Sequence, residues 1–483
     1  MVGRPASALA IVAASFWACA PTASAPRDPG TAAVQAPAPA PAPVADFVRI
    51  SAAGPGDAAL ARCLGDPAAA RAEVEPHAAV NPRDSNNIVA AWMVRAADGG
   101  AIQAAASFDG GRSWTPPATL PVNACSGGPF DFLPRASDPW VAFGPDGRAY
   151  VSAIAYKPAE SVDEAGAVIV VASPDGGRTW DPPGVGSITR TPEYFHDNTA
   201  IAAHPTQAGT VYVVFTRYEP QARLGPAALS RTLDRGRTWS PVRAITPRTP
   251  GSTSAGAPQM VIDPRTGHLF VFYTHGPRGS RVSFVKSEDL GQTWSEPVVV
   301  TDGVPLRGPA KYPGTDKQLR IAEDIAHAAI DPRTGQLFVV FTDGRFTGGE
   351  SLQVGITTSV DNGRTWSAPL RVSADSVAAS WRPAIAADAQ GRVAVTYFAP
   401  AGERPRGDAL PVAVHLAAIQ RPTSGTLARG TDLIFDTFDW KPGRGGLYFL
   451  GDYNPLLVAR GGFLPVYARP TEGGTATVAA HLR

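Results

Sequence analysis

The sequence predicts an all-β protein: a β-propeller of seven four-stranded antiparallel blades, the alternative being six blades with one unit extruded. Three observations carry this expectation. A turn motif recurs five times, a strand-pair motif recurs seven times, and the composition is rich in turn residues. The 483 residues include 49 Gly and 48 Pro, high for a helical protein and natural for a chain of many turns. Hydrophobic residues make up 44%, enough to bury a large core.

The turn motif reads Ser107-Phe-Asp-Gly-Gly-Arg-Ser-Trp114, Ser173-Pro-Asp-Gly-Gly-Arg-Thr-Trp180, Thr232-Leu-Asp-Arg-Gly-Arg-Thr-Trp239, Ser287-Glu-Asp-Leu-Gly-Gln-Thr-Trp294 and Ser359-Val-Asp-Asn-Gly-Arg-Thr-Trp366. The copies lie roughly 55 to 70 residues apart, a period typical of radial β architectures. The Asp and the hydroxyl residue before it accept backbone N–H bonds within a tight turn. The Gly supplies a positive φ. The Trp buries its ring and is expected to find a partner for its N–H. Apolar strands such as Val168-Ile-Val-Val-Ala172 precede each copy, so the motif reads as a hairpin fastener rather than a metal or catalytic site.

The second repeat pairs an apolar strand with an aromatic-ended one. Its first strands start near Pro76, Pro139, Thr199, Pro258, His327, Pro383 and Asn454, which sets the count at seven. The last unit has only three strands, ending at Thr475–Leu482, and the apolar segment Phe47-Val-Arg-Ile50 stands unclaimed before the first. If that segment supplies the missing outer strand, the ring closes through its own ends and hides two edges.

The five-copy motif resembles the Asp box of the bacterial neuraminidase repeat, found in sialidase-like β-propellers. Segments such as Glu75-Pro-His-Ala-Ala-Val-Asn-Pro82, Arg135-Ala-Ser-Asp-Pro-Trp-Val-Ala-Phe143 and Tyr448-Phe-Leu-Gly-Asp-Tyr453 resemble exported bacterial members of that superfamily. In a propeller the innermost strands line the channel, and here their starts are polar and charged. The resemblance implies an exo-glycosidase of the sialidase kind. Three arginines would grip a carboxylate, because a planar guanidinium fork matches it. A tyrosine nucleophile with a glutamate base and an aspartate acid/base would do the chemistry. On that basis Asp138, Glu323 and Tyr453 are candidate catalytic residues, and Arg135, Arg345 and Arg382 candidate carboxylate ligands. Asp197, Asp324, Asp452 and Trp381 complete the expected ligand contacts. The family's Phe/Tyr-Arg-Ile-Pro segment is missing; Val48-Arg-Ile-Ser51 is the nearest match.

Residues 1–18 read as a signal peptide: Arg4 precedes the apolar run Ala8 to Ala18, too short to span a membrane. Phe16-Trp-Ala-Cys19 resembles a lipobox, with Cys19 the lipidated residue; cleavage after Ala25 is the rival reading. Residues 19–45 contain Ala-Pro repeats suited to a semi-rigid tether, and 46–483 form one propeller domain. The expected location is the bacterial cell envelope, as an outer-membrane or surface lipoprotein, or else periplasmic or secreted. Membrane contact would be through the lipid anchor alone. Cys63 and Cys125, the other two of three cysteines, are candidates for a disulfide in an oxidising compartment. Net charge is +1, which argues against a nucleic-acid partner. The expectation is a monomer that takes a carbohydrate or glycoconjugate ligand, with no cofactor and no metal motif. A non-catalytic protein-interaction scaffold is the alternative.

Overall fold

The computed structural model describes residues 45–51, 60, 72–95, 100–127, 129–157, 166–189, 194–219, 224–247, 254–321, 325–402, 404–421, 426–443, 446–472 and 474–482. Cys19, Cys63, Glu323 and Asp324 lie outside them. Cys125 is buried and disulfide-bonded.

Apolar alternation within each repeat produces short strands whose two faces are both covered, and these assemble into seven blades. Five are separate four-stranded sheets; the remaining eight strands form one sheet that resolves into the first and seventh blades. A single parallel pairing, Ala72 with Thr475, joins those two blades. The seventh blade consists of Leu456–Ala459, Gly462–Thr471 and Gly474–Leu482, with Ala45–Arg49 as its outermost strand. Ala45–Arg49 pairs antiparallel with the last of these, Ala45 opposite Leu482 and Arg49 opposite Val478. Just beyond, the Ile50 N–H donates to the Thr477 carbonyl at 2.9 Å. The edge that the seventh blade would otherwise expose is thereby paired.

Core layers lie between neighbouring blades. Val89, Ala91 and Ile102 of the first blade pack with Val141, Val151 and Ile169 of the second in one buried cluster. Phe270, Phe272 and Phe284 of the fourth blade meet Leu337, Val339 and Phe341 of the fifth in another. Each such Val, Leu, Ile or Phe side chain contributes roughly 1.5–3 kcal/mol on burial.

The five Asp turns all lie between third and fourth strands and brace the adjacent blade. In the first, Ser107 Oγ donates to Asp109 Oδ1 at 2.8 Å and accepts the Gly111 N–H at 2.8 Å. Asp109 Oδ1 also accepts the Ser113 N–H at 2.9 Å. Gly111 has φ +91°, and a Cβ there would stand 3.2 Å from Leu464 of the seventh blade. In the second turn, the Gly176 carbonyl receives Asn87 Nδ2 of the first blade at 2.9 Å. One sequence expectation is corrected. Trp114 Nε1 donates to the Gly111 carbonyl at 3.0 Å, but Nε1 of Trp239, Trp294 and Trp366 is buried without a partner among the described residues. Trp366 instead packs edge-on against Phe272 and Phe284, so ring burial governs its placement.

Candidate functional site

A shared backbone irregularity builds the site. The innermost strands Ala72–Asn81, Arg135–Phe143, Phe195–Ala203, Gly256–Ile262 and Trp381–Ala387 each break register near the channel mouth. At the break stands a residue with positive φ: Glu75 (55°), Asp138 (53°), Asn198 (52°), Ala257 (41°) and Arg382 (50°). Left-handed backbone at non-glycine residues costs on the order of 1–3 kcal/mol each and concentrates at functional sites. A bulge also re-aims side chains. In four of the five strands the next residue is proline (Pro76, Pro139, Pro258, Pro383), which has no N–H to lose from the ladder.

Glu75, Asp138, Arg382 and Tyr453 come together at this level, contributed by the first, second, sixth and seventh blades. Glu75 Oε2 accepts the Asp138 N–H at 3.3 Å, and Asp138 Oδ2 accepts from Ser137 Oγ at 2.6 Å. Arg382 Nη2 donates to the carbonyls of Tyr453 and Leu450 at 3.0 and 3.2 Å. Its Nε and Nη1 are buried and find no partner among the described residues. The Tyr453 hydroxyl donates to the Pro139 carbonyl at 3.2 Å. Asp452 pairs with Arg320 at 3.2 Å on the solvent side.

Burial and crowding of like charges set the protonation states. Burial, then the Asp452 charge, pushes Glu75 up to about 8, against the Asp138 N–H and the charges of Arg320 and Arg95. Burial, then Glu75 and Asp197, holds Asp138 well above the usual carboxylate range. The Glu75–Asp138 pair therefore keeps a proton at neutral pH. Burial lowers Arg382 to about 10 and raises Tyr453 well above an ordinary phenol.

An aromatic wall stands beside the carboxyl pair. The rings of Tyr156 and Phe195 are 6.3 Å apart, as are those of Phe195 and Tyr218. Phe195 is 37% exposed. Burial raises the Tyr156 pKa, as do the charges of Asp138 and Glu75, while Arg135 and Arg95 oppose them. These groups thus share one neighbourhood. The floor is a ring stack across the channel: His77 on Trp140 at 3.9 Å, and Trp140 parallel to His327 at 6.3 Å, with Tyr453 5.2 Å from Trp140.

The structure thus gathers Asp138, Arg382 and Tyr453, with Asp452, Asp197 and Arg135 around them. Two expected ligands are elsewhere. Arg345 is engaged by Asp343, two residues away, at 2.8 Å (Nε) and 2.6 Å (Nη2). Its remaining donors reach Thr301 Oγ1 and the Asp302 carbonyl, both at 2.9 Å. This arginine fastens the fourth blade to the fifth, and the expected triad loses a member. Trp381 is 1% exposed in the core cluster of Trp440 and Tyr448. Sequence reasoning placed Glu75 among the polar strand starts without giving it a role, and left Trp140 and His327 out; the prolines next to Glu75 and Trp140, which interrupt their strand patterns, were the available signal. Among the described residues, no group of three or more His, Cys, Asp or Glu side chains is arranged to hold a metal.

No protein-family model and no curated protein matches the chain. Among solved structures the chain is similar to a Hadza microbial sialidase, at 16% identity over 85% of this chain and 66% of that one, TM-score 0.43. It is also similar to a leech intramolecular trans-sialidase complexed with 2,7-anhydro-Neu5Ac (14%, 86% and 69%, TM-score 0.45). A protein of unknown function from Dyadobacter fermentans is a third such structure (14%, 86% and 96%, TM-score 0.46). The chain spans about two thirds of the length of both sialidases.

Proposed function

We propose that this is an exported, surface-tethered propeller that binds glycans at its channel mouth and cleaves a terminal sugar there. The observation that carries the reading is the buried Glu75–Asp138 carboxyl pair, which retains a proton at neutral pH beside the exposed wall of Phe195. A carboxylic acid kept protonated at neutral pH is suited to protonate a glycosidic oxygen. Aromatic rings flanked by polar groups suit a polyhydroxylated ligand. In the sialidase-like casting Asp138 is the acid/base and Tyr453 the nucleophile. Tyr453 would first have to exchange its bond to Pro139 for one to a base; Glu323, the residue cast as that base, lies outside the described residues.

A second reading, binding without turnover, is favoured by one observation. The Tyr453 hydroxyl and Arg382 Nη2 are both committed to backbone carbonyls, and the Arg345 guanidinium is committed to Asp343. Fluorogenic glycosides, sialosides included, assayed beside a glycan array separate the two. Turnover abolished by Glu75→Gln or Asp138→Asn supports the enzyme. Array binding without turnover supports the binding module. Neither, with a protein captured by crosslinking, would replace both by an interaction scaffold.

A further inference from the structure

We propose that the axial channel is a second binding site, on the side of the ring stack away from the mouth, for an uncharged, flat, single-ring molecule bearing both a hydrogen-bond donor and an acceptor. The cavity there measures about 220 Å³. An apolar cavity of about 150 Å³ holds benzene, so this one admits a substituted ring. The lining combines the stacked rings of His77, Trp140 and His327 with apolar surface from Ile385, Leu456 and Leu457 and with the polar Gln259 and Asn454. A flat ring within such a lining gains dispersion from the rings and the apolar surface.

Asn454 and His77 are two of the polar groups in the lining with hydrogen-bonding capacity free. Asn454 is 3% exposed, and its Oδ1 is buried with no partner among the described residues. His77 Nδ1 accepts the Val141 N–H at 3.0 Å, which leaves the ring proton on Nε2 as a donor with no partner among the described residues. A ligand donor matched to the amide oxygen and an acceptor matched to the imidazole N–H satisfy both. No carboxylate, lysine or arginine lines the cavity. Burial lowers both imidazoles, His327 to about 4 and His77 well below its ordinary value, so they are neutral at pH 7. A charged ligand would lose its hydration there with no opposite charge to receive it. Tyr453 and the ring stack border both sites, but Asn454 and Leu457, which the test alters, have no part in turnover at the mouth.

The test uses the full chain with three isosteres: benzamide (donor and acceptor), benzoate (charged) and toluene (apolar). Calorimetry and crystal soaking should place benzamide against Trp140, with benzoate at least tenfold weaker. Asn454→Leu should weaken benzamide about tenfold and leave toluene unchanged. Leu457→Trp, which fills the cavity, should abolish both. Ordered water alone in the cavity, equal affinity for benzamide and benzoate, or benzamide binding untouched by Asn454→Leu would each overturn the proposal. Melting curves establish that each variant is folded, and the benzamide–benzoate comparison on the unaltered protein decides the matter if a variant is not.

Discussion

The hydroxyl of Tyr453 donates to the carbonyl of Pro139, so the seventh blade reaches across the first to grip the second. The ring of Tyr453 meanwhile lies over Trp140 and within 6.4 Å of His77. One side chain therefore joins three blades at the mouth.

Tyr453→Phe leaves the Pro139 carbonyl buried and unpaired. Loss of about 1–2 kcal/mol is expected, read as a lower urea midpoint at unchanged m-value. If Tyr453 is also the nucleophile, turnover vanishes while glycan affinity persists.

Glu75→Gln mimics the protonated acid. The Glu75 pKa is raised in the folded protein, so its stabilising contribution is complete below the unfolded value of about 4.3 and is lost as pH rises through about 8. The variant should melt above the parent at pH 9, with the gap narrowing toward pH 5. A gap that widens on acidification would refute the burial argument.

The Asp turns titrate in the opposite sense. Hydrogen bonds from Thr238, then Thr232, hold Asp234 at about 2, and hydrogen bonds from Thr293 also lower Asp289. Their contribution is present above the unfolded value of about 4 and is lost as pH falls to about 2. Tryptophan emission, reporting Trp239 and Trp294 beside these turns, should shift red in that window. Asp234→Asn should flatten the Trp239 portion.

Gly451→Ala tests how closely the last loop approaches the first blade. Its φ is +97°, and a Cβ there would collide with the backbone nitrogen of Glu75. Overpacking against backbone should cost about 3 kcal/mol and displace Glu75. A variant that keeps both its melting point and its turnover would show that the loop yields freely.

The scaffold was legible in the sequence because its fasteners are local. Ser107, Asp109, Gly111 and Ser113 make their bonds within one turn, and seven strand pairs repeat the same apolar pattern. The site was only half legible, because a bulge is a two-residue event that inverts the facing of every later residue in its strand. Across the register break Trp381 pairs with Phe398 and Ala384 with Thr396, so counting alternate positions back from Ala384 gives Trp381 the wrong face, and strict alternation cannot foresee its place in the core. Arg345 was misassigned for another reason. Its fork suits any carboxylate, and Asp343 is the nearer one.

The pairing of Ala45–Arg49 with Gly474–Leu482 has a consequence in time. Thr477 donates its N–H to Ser51 Oγ across 426 residues of chain. The Ala45–Arg49 strand must therefore stay unpaired and adhesive until a partner strand more than 400 residues further along the chain has formed. Closure is the last and slowest event such a topology permits. During that wait the chain is most exposed to aggregation, and a chaperone that shields residues 45–49 would shorten its vulnerability.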